Sequence, residues 1–532
     1  MNSFHRETDF RLNEILLSVV AISVWLWIGH DGRLHWDEPG YLYTAVYVPW
    51  QQILYEGFEP SNITGFNVSR LGHLAIIKCI AALFGPGIAL INAVAAVYLI
   101  FLMALAVAGY FILRLLMPNA KGLGRATIIS LFAPMTVFLA FKTCPDLPAL
   151  LFSGLSCLFL LLSLERRSWF KWFLLSAIFL ALTGLTKHVH AWMYISLSGT
   201  LLLFGRYRCS FRQALFRVTA IGMTALLIFG ITLFVLRIPI SQFLGFMVVA
   251  SKVNEPILAK LLKLVLTYGL FLLVLPLAWL NPNRKWKWFM IAWFGLATVP
   301  FLIILSRLEV RYLTLSAVPL SGLVWLALDS LNSWANYFPN RSRQLMWTVA
   351  MVSAVIVAIL VQPLTEHELR IDQFASTIQT IQADAEEQEF SVLIPWEYAD
   401  FHYLRVAYPD LNVFSVHENS DLSPEKLADW KHFQNKYYGE RVLHTLDDIN
   451  ALPGLKYYVG YGATFSIENL RQMLEYLPAS DLRQEISAKV QSMSPLRHME
   501  KSWMWNHPSV ELQVFRRVGH YQIFRVDLLP YS

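Results

Sequence analysis

The sequence contains few charged residues and few cysteines. Charged residues make up only 15% of its 532 residues, hydrophobic residues make up 56%, and the mean hydropathy is +0.46. An ordinary soluble domain has roughly a quarter of its residues charged, so this composition excludes a soluble enzyme and a disordered chain. All four cysteines precede residue 365, so no disulfide framework holds the C-terminal part together.

Acidic residues are scarce in the first two thirds of the chain. Residues 1–364 contain 13 Asp and Glu against 28 Lys and Arg, whereas residues 365–532 contain 24 acids against 15 bases. This asymmetry predicts a basic polytopic membrane region, residues 1–364, followed by an acidic domain, residues 365–532. The pI near 9.0 then reflects cytoplasmic loops, and no nucleic-acid partner is expected.

Eleven apolar runs approach the roughly 20 residues that an α-helix needs to span a bilayer. They are 14–30, 87–116, 123–141, 147–164, 169–186, 189–205, 213–236, 258–280, 286–305, 310–328 and 344–363. With the N-terminus inside, every inner gap is basic, as the positive-inside rule requires. Residues 71–84 are too short for a span and favour an interfacial or re-entrant helix in the first outer loop, residues 31–86. We therefore predict an α-helical polytopic membrane protein with about 11 transmembrane helices.

The C-terminal part follows the last outer boundary and is expected outside the membrane. Short apolar runs at 391–394, 412–416 and 456–461 alternate with helical patterns at 397–408, 423–435 and 465–477. A last pair of strands around 510–526 is expected to turn at Val518-Gly519-His520. This alternation predicts a small extracytoplasmic α/β domain. It contains no Gly-rich phosphate loop, metal-spaced His/Cys set or nucleophile elbow, so we expect it to support or gate a site in the membrane region.

Ionisable residues at membrane depth are costly and tend to be functional, so the few outer acids narrow the search for a site. Asp37 and Glu38 follow the first apolar run, in LHWDEPGYLY, and Asp146 lies on a short outer turn, in KTCPDLP. Both acidic sites are predicted on the outer face, where they can converge.

Three motifs, all predicted on the outer side of the membrane, resemble in their order the motifs of a known superfamily. They are Asp37-Glu38 followed by Tyr41, then Pro145-Asp146, then Arg311-Tyr312 with Pro319. The chain resembles the GT-C superfamily of membrane glycosyltransferases, in particular the branch of protein O-mannosyltransferases and lipid A aminoarabinose transferases. The resemblance covers nearly the whole chain. It implies a GT-C fold and inverting transfer of a sugar from a polyprenyl-phosphate carrier.

The resemblance also implies roles for the acids. Transfer needs a carboxylate that takes the acceptor's proton, and the family gives this role to the aspartate of the first loop, here Asp37. Glu38 would position Asp37 or a cation, and Asp146 would support the acceptor or a metal. Simpler roles stay open: a turn or N-cap for Asp37, an exposed loop position for Glu38, and a helix N-cap for Asp146.

Residues at the outer helix boundaries complete the candidate substrate site. They are Tyr41, Arg70, Lys78, Lys142, Lys187, His188, His190, Lys252, Glu255, Arg307, Glu309, Arg311 and Tyr312. Arg311 can hold two phosphate oxygens at once, and its alternative, like that of Lys78, is snorkelling to lipid headgroups. Lys187, His188 and His190 are compatible with binding a phosphate or a divalent metal, although two histidines do not establish a zinc site. The loop from Arg237 to Pro256 is either a mobile cover over a membrane groove or a plain connector.

We therefore expect a cell-envelope glycosyltransferase, in a bacterial inner membrane or, in a eukaryote, the ER membrane. Its partners are a polyprenyl-phosphate-linked sugar, membrane lipids, and a lipid, glycan or protein acceptor; metal dependence stays open. The alternatives are a transporter of a lipid-linked or anionic substrate and a membrane sensor with an outer ligand-binding domain. Transporters place charges within the bilayer, whereas the candidate charged residues of this chain are predicted together at the outer face of the membrane. A sensor leaves the paired acidic loops unexplained.

Overall fold

A computed structural model describes most of the chain. The described residues are 33–35, 38–54, 70–131, 144–165, 169–207, 209–238, 256–268, 271–272, 274–304, 310–335, 368–395, 398–416, 441–443, 445–461, 507–519 and 521–529. The α-helices, numbered α1 to α16 along the chain, are Glu38–Tyr47, Trp50–Leu54, Leu71–Phe84, Ile88–Leu116, Leu123–Leu131, Asp146–Glu165, Trp169–Lys187, Trp192–Phe204, Phe211–Val235, Ile257–Tyr268, Val274–Trp279, Arg284–Ile304, Ala317–Ala335, Ile371–Ala385, Tyr398–Ala407 and Leu446–Asn450. The strands β1 to β8 are Arg33–His35, Glu368–Arg370, Phe390–Pro395, Val413–Val416, Val442–Leu443, Leu455–Tyr461, Val510–Val518 and Tyr521–Leu528.

The described helices make this an integral membrane protein. Six helical stretches among the described residues are long and apolar enough to cross a bilayer. They are Ile88–Leu116, Asp146–Glu165, Trp169–Phe204, Phe211–Val235, Arg284–Ile303 and Arg311–Leu331. The predicted polytopic helical fold is confirmed, and the predicted number of eleven spans is not reached within these residues. The runs at 14–30 and 344–363 lie outside them.

One of the six stretches contains a break that matters for the site. Helix α7 ends at Lys187, whose backbone is extended at φ −165° and ψ 100°. A 3₁₀ turn, His188–Ala191, follows before α8 begins at Trp192. The predicted boundary between the runs 169–186 and 189–205 is therefore a real interruption of the helix. It places three polar side chains on an irregular segment rather than on a helix face.

The chain divides into two compact units. The first consists of Met1–Gly29, Trp50–Ile76 and Ala95–Pro363, and the second of His30–Pro49, Ile77–Val94 and Leu364–Ser532. Within the first unit, helices approach closely at small residues: a side chain on Gly154 would meet Leu105, and one on Gly322 would meet Met290. Small residues of this kind let membrane helices pack at short distance.

A six-stranded mixed sheet forms the centre of the second unit, with the strand order β5-β4-β3-β6-β8-β7. Strands β3 to β6 are parallel to one another, and β8 adds antiparallel to β6 and to β7. The hairpin between β7 and β8 turns at Gly519, whose φ of 58° suits glycine. The predicted C-terminal α/β domain is confirmed in its strands at 390–395, 413–416 and 455–461 and in this hairpin.

Two features of the second unit have no counterpart in the sequence prediction. Helix α14, Ile371–Ala385, precedes the sheet and packs on β8, with the Phe374 ring 4.3 Å from that of Tyr521. Strand β1 from the first loop pairs antiparallel with β2, Arg33 opposite Arg370. The helices predicted at 423–435 and 465–477 lie outside the described residues.

Candidate active site

Polar residues from four different segments meet within the first unit. Arg70 and His73 lie at the start of α3, Asp146 begins α6, Lys187 to His190 join α7 to α8, and Arg311 and Tyr312 lie in the 3₁₀ segment Val310–Ser316. The four segments lie between 41 and 242 residues apart in sequence. They supply one cluster because all four are helix ends that the bundle brings together. We call Arg70, His73, Asp146, Lys187, His188, His190, Arg311 and Tyr312 the polar cluster.

An ion pair between Asp146 and Lys187 lies at the centre of the polar cluster. Lys187 Nζ donates to Asp146 Oδ1 at 2.6 Å, and the two side chains are only 6% and 0% exposed. His190 Nε2 lies 3.6 Å from the same oxygen. Asp146 is the first residue of α6, where the helix dipole also favours a negative charge. The buried carboxylate therefore has a lysine as its ion-pair partner and a histidine nearby.

Several buried polar atoms around this ion pair lack a hydrogen-bond partner among the described residues. They are Asp146 Oδ2 and both ring nitrogens of His190. The main chain of His190 is fixed, because Ser153 Oγ donates to its carbonyl oxygen at 2.8 Å. Buried polar atoms without partners are costly and are rare in folded proteins unless a site uses them. Asp146 and His190 are therefore the first candidates in this cluster for contact with a polar ligand.

Arg311 and Tyr312 form one side of the cluster. The Arg311 charge acts on both Asp146 and His190. Lys187 Nζ lies 5.0 Å above the Tyr312 ring, and that ring stacks on Phe301 with 6.0 Å between the centroids. Tyr312, backed by Phe301, therefore supports the charged group of Lys187. The sequence motif Arg311-Tyr312 thus contributes one cation, Arg311, and an aromatic contact for another, Lys187.

Arg70 and His73 are a further part of the cluster. Both side chains are buried, and the Arg70 charge acts on His73 and His188. Tyr98 Oη and His73 Nδ1 share a hydrogen bond of 2.5 Å. A side chain on Gly72 would collide with Thr186, one residue before Lys187, so glycine allows α3 to approach the end of α7. The described members of the cluster therefore include one carboxylate and three cations: Arg70, Lys187 and Arg311.

Lys78 and Tyr41 lie in the second unit. Lys78 Nζ donates to the carbonyl oxygens of Ala45 at 3.0 Å and Val48 at 2.7 Å. These are carbonyl groups at the C-terminal end of α1, so the lysine caps that helix. Tyr41 lies within α1 and is buried, and α1 itself begins at Glu38.

Six other predicted site residues fall outside the described part of the chain. They are Asp37, Lys142, Lys252, Glu255, Arg307 and Glu309. Two residues of the cluster region, His73 and Tyr98, were absent from the predicted site. A histidine on a short apolar helix was a visible signal for the first, whereas Tyr98 is one of many aromatic residues in a long apolar run and carried no signal.

Metal binding has no support in the described geometry. Among the residues that the structure covers, no group of three or more His, Cys, Asp and Glu side chains is arranged to hold a metal ion. Asp146 and His190 supply two ligand atoms, and a structural or catalytic zinc site needs three or four.

Comparison with solved structures shows the fold. No family model matches the sequence, and no curated protein matches it. The crystal structure of apo ArnT from Cupriavidus metallidurans superimposes with a TM-score of 0.54 at 14% identity, over 96% of this chain and 97% of that chain. ArnT bound to undecaprenyl phosphate gives a TM-score of 0.50 at 14% identity, with the same coverage.

The chain has the fold of ArnT. This confirms the predicted GT-C-type membrane fold over nearly its full length. An oligosaccharyltransferase from Archaeoglobus fulgidus, tethered to an acceptor peptide, is more distant, with a TM-score of 0.47 and 12% identity over 87% of this chain and 70% of that chain.

Proposed function

We propose that the protein is a glycosyltransferase that moves a sugar from a polyprenyl-phosphate carrier to an acceptor. The observation that carries this proposal is the polar cluster, in which Lys187, Arg311 and His190 act on the buried Asp146 carboxylate. Asp146 and His190 also keep buried polar atoms without a hydrogen-bond partner among the described residues. The similarity in fold to ArnT bound to undecaprenyl phosphate supports the choice of carrier.

The chemistry of the cluster suits a phosphate leaving group. When the sugar leaves the carrier, negative charge develops on the phosphate oxygen, and fixed cations in a water-poor site stabilise that charge. Arg70 and Arg311, the two arginines of the polar cluster, are our candidates for the phosphate. The guanidinium group can hold two oxygens of a phosphate in one plane. His190, with its two ring nitrogens, is our candidate for a hydroxyl group of the sugar or acceptor.

The proton of the attacking hydroxyl needs a base, and we assign this role to Asp37, with Glu38 beside it. Asp146 Oδ1 is occupied by Lys187, which supports a positioning role for Asp146. We further propose that the C-terminal domain lies on the outer side of the membrane, because the predicted inner gaps are basic. Cysteine at position 420 (Ser420→Cys) should then react with an impermeant thiol reagent in intact cells, and Ser342→Cys should not; the opposite pattern would reverse the topology.

The direct test of the function is a donor assay. Purified full-length protein is incubated with a panel of polyprenyl-phosphate sugars and candidate acceptors, and released polyprenyl phosphate is measured. We expect release with at least one donor. Arg206→Ala is a matched control, because Arg206 follows the end of α8 opposite the polar cluster and packs on Trp286. Folded protein that releases carrier from no donor would favour a transporter or a sensor instead.

The role of Asp37 can be tested with an isosteric change. Asp37→Asn keeps the shape and removes the base, so turnover should fall by about 10²- to 10⁴-fold while donor affinity is kept. Asn caps a helix about as well as Asp, so a capping role would leave turnover nearly unchanged. Glu59→Gln in the same loop is the control for a general effect of removing an acid there.

A further inference from the structure

Helix α1 is held within the second unit by helix α15 of the C-terminal domain. The Tyr43 ring stacks on the His402 ring, with 4.6 Å between the centroids and 30° between the planes. Tyr47 Oη donates to the Arg405 carbonyl oxygen at 2.7 Å, and the Arg405 guanidinium lies 5.2 Å from the centre of the Tyr47 ring. Two tyrosines one helical turn apart on α1 thus contact two residues one turn apart on α15.

This interface is closely packed and buried. Tyr43 and His402 are each 4% exposed, and Phe401 contacts Tyr43 from beside the histidine. A side chain on Gly40 would come within 3.6 Å of His402 Nδ1, so the first turn of α1 also lies against α15. Burial lowers the pKa of His402 to about 3, so its ring is neutral and can stack on tyrosine at any physiological pH.

Two more contacts hold the same segment. Lys78 Nζ binds the carbonyl groups of Ala45 and Val48 at the end of α1. Strand β1, which ends at His35, pairs with β2 at the entrance of the C-terminal domain. The chain is therefore fixed to the second unit both before and after the dipeptide Trp36-Asp37.

A ten-residue helix such as α1 is not stable alone in water, because the nucleation cost exceeds what so few hydrogen bonds return. Its position depends on its tertiary contacts, which include those made by α15 and Lys78. Asp37, our candidate for the base, directly precedes α1 in the sequence.

We propose that α15 is a positioning element for α1, with Tyr43, Tyr47 and His402 as positioning residues and Lys78 as the cap that completes the anchor. The C-terminal domain then contributes to transfer by fixing α1 of the first loop. This inference rests on the proposed function only in its consequence for turnover, because the anchoring of α1 can be measured without activity.

The first measurement is hydrogen exchange of the backbone amides of α1 in the full-length protein. Tyr47→Phe removes the hydrogen bond to Arg405 and keeps the ring, and should speed exchange by about 2- to 10-fold. Tyr43→Ala removes the whole ring that stacks on His402, and should speed exchange more than Tyr47→Phe does. Tyr457→Phe is the matched control, because it removes a hydrogen bond of 2.6 Å to Asp384 within the same unit, away from α1.

The second measurement is turnover together with affinity for polyprenyl phosphate. We expect Tyr47→Phe to lower turnover with little change in affinity, and Tyr457→Phe to change neither. Unchanged exchange of α1 in both Tyr43→Ala and Tyr47→Phe would refute the anchor. Faster exchange with unaltered turnover would refute its importance for transfer. If the wild type transfers no sugar at all, the proposed function fails, and the exchange data alone decide the anchor.

Discussion

Two acidic residues, one in each unit, have the same kind of partner in very different surroundings. In the first unit, Asp146 pairs with Lys187, and the side chains are 0% and 6% exposed. In the second unit, Asp384 pairs with Arg525, and the side chains are 13% and 48% exposed. Arg525 Nε donates to Asp384 at 2.9 Å, its Nη2 binds the other carboxylate oxygen, and Tyr457 Oη donates at 2.6 Å.

This difference indicates a structural role for the Asp384–Arg525 pair, and makes the Asp146–Lys187 pair the better candidate for a functional site. Every oxygen of Asp384 is satisfied within its own domain, so the pair connects α14 to the sheet and needs nothing more. Asp146 keeps one buried oxygen without a partner among the described residues, beside a histidine in the same condition. Removing two charges from water costs several kcal/mol per ion, and only a well-made set of partners offsets that cost. A buried carboxylate with an incomplete set of partners lowers the stability of the fold. Such local losses of stability are common at functional sites.

The largest effect is expected from the same substitution made in both pairs. Asp146→Asn leaves Lys187 buried near Arg311 without its counter-ion, and should reduce stability by about 3–5 kcal/mol. Asp384→Asn removes an exposed pair and should reduce stability by about 1 kcal/mol or less. Thermal unfolding of the two variants in the same detergent measures the contrast.

Equal shifts in the unfolding temperature for the two variants would show that the first-unit pair is solvated, and the contrast between the pairs would disappear. A large shift for Asp384→Asn alone would reverse it.

A smaller effect is expected when the lysine is removed as well. Lys187→Met in the Asp146→Asn background removes the charge that had become unpaired, so the double variant should be more stable than Asp146→Asn alone, by about 1–3 kcal/mol. A double-mutant cycle of unfolding temperatures tests this. A double variant whose loss equals the sum of the two single losses would mean that the residues do not interact.

Local sequence patterns predicted much of the fold. Apolar runs of about 20 residues predicted α4, α6, α7 and α9, and alternating short runs predicted strands β3, β4 and β6. These elements depend on hydrophobic periodicity within a few turns of chain, which a sequence displays directly. Helix α14 was missed, although Phe374, Ile378, Ile381 and Ala385 recur at helical spacing and are all buried. That signal was available.

The candidate site was predicted as a set of residue types, and its pairings were not. Asp146 and Lys187 were both candidates, but their contact joins residues 41 positions apart, and only the packing of α6 against α7 creates it. Lys78 was a candidate for the phosphate, with snorkelling to lipid headgroups as its alternative, and the sequence did not indicate that its described contacts cap α1. Strand β1 has three residues, too few for a periodic pattern, and its partner β2 lies more than 300 residues away. Long-range partners of this kind follow from the fold rather than from local sequence.

An intermediate effect is expected for the cation that we assign to the donor phosphate. Arg311→Ala loses both the charge and the planar pair of donors, and Arg311→Lys keeps the charge, so donor affinity should fall more for alanine than for lysine. A hydrogen bond to a charged group contributes about 1.5–3 kcal/mol, so the alanine variant should bind polyprenyl phosphate at least about tenfold more weakly. Equal donor affinity in the wild type and both variants would reduce Arg311 to an anchor at the membrane surface.

The smallest effect concerns acid stability of the exposed pair. Partial burial raises the pKa of Asp384, but the hydrogen bonds from Arg525 and Tyr457 and the Arg525 charge outweigh it, and the pKa lies below its ordinary value. A carboxylate whose pKa is lower in the folded state binds fewer protons there than when unfolded, so stability falls as pH falls. The contribution is complete above the unfolded pKa of about 4 and is lost as pH drops through the folded pKa. The stability difference between the wild type and Asp384→Asn should therefore be constant from pH 7 to about pH 5 and shrink below about pH 4. Since Arg525 is half exposed, salt should reduce the same difference. A difference that stays constant into strong acid would mean that Asp384 stabilises the domain through its shape and hydrogen bonds rather than its charge.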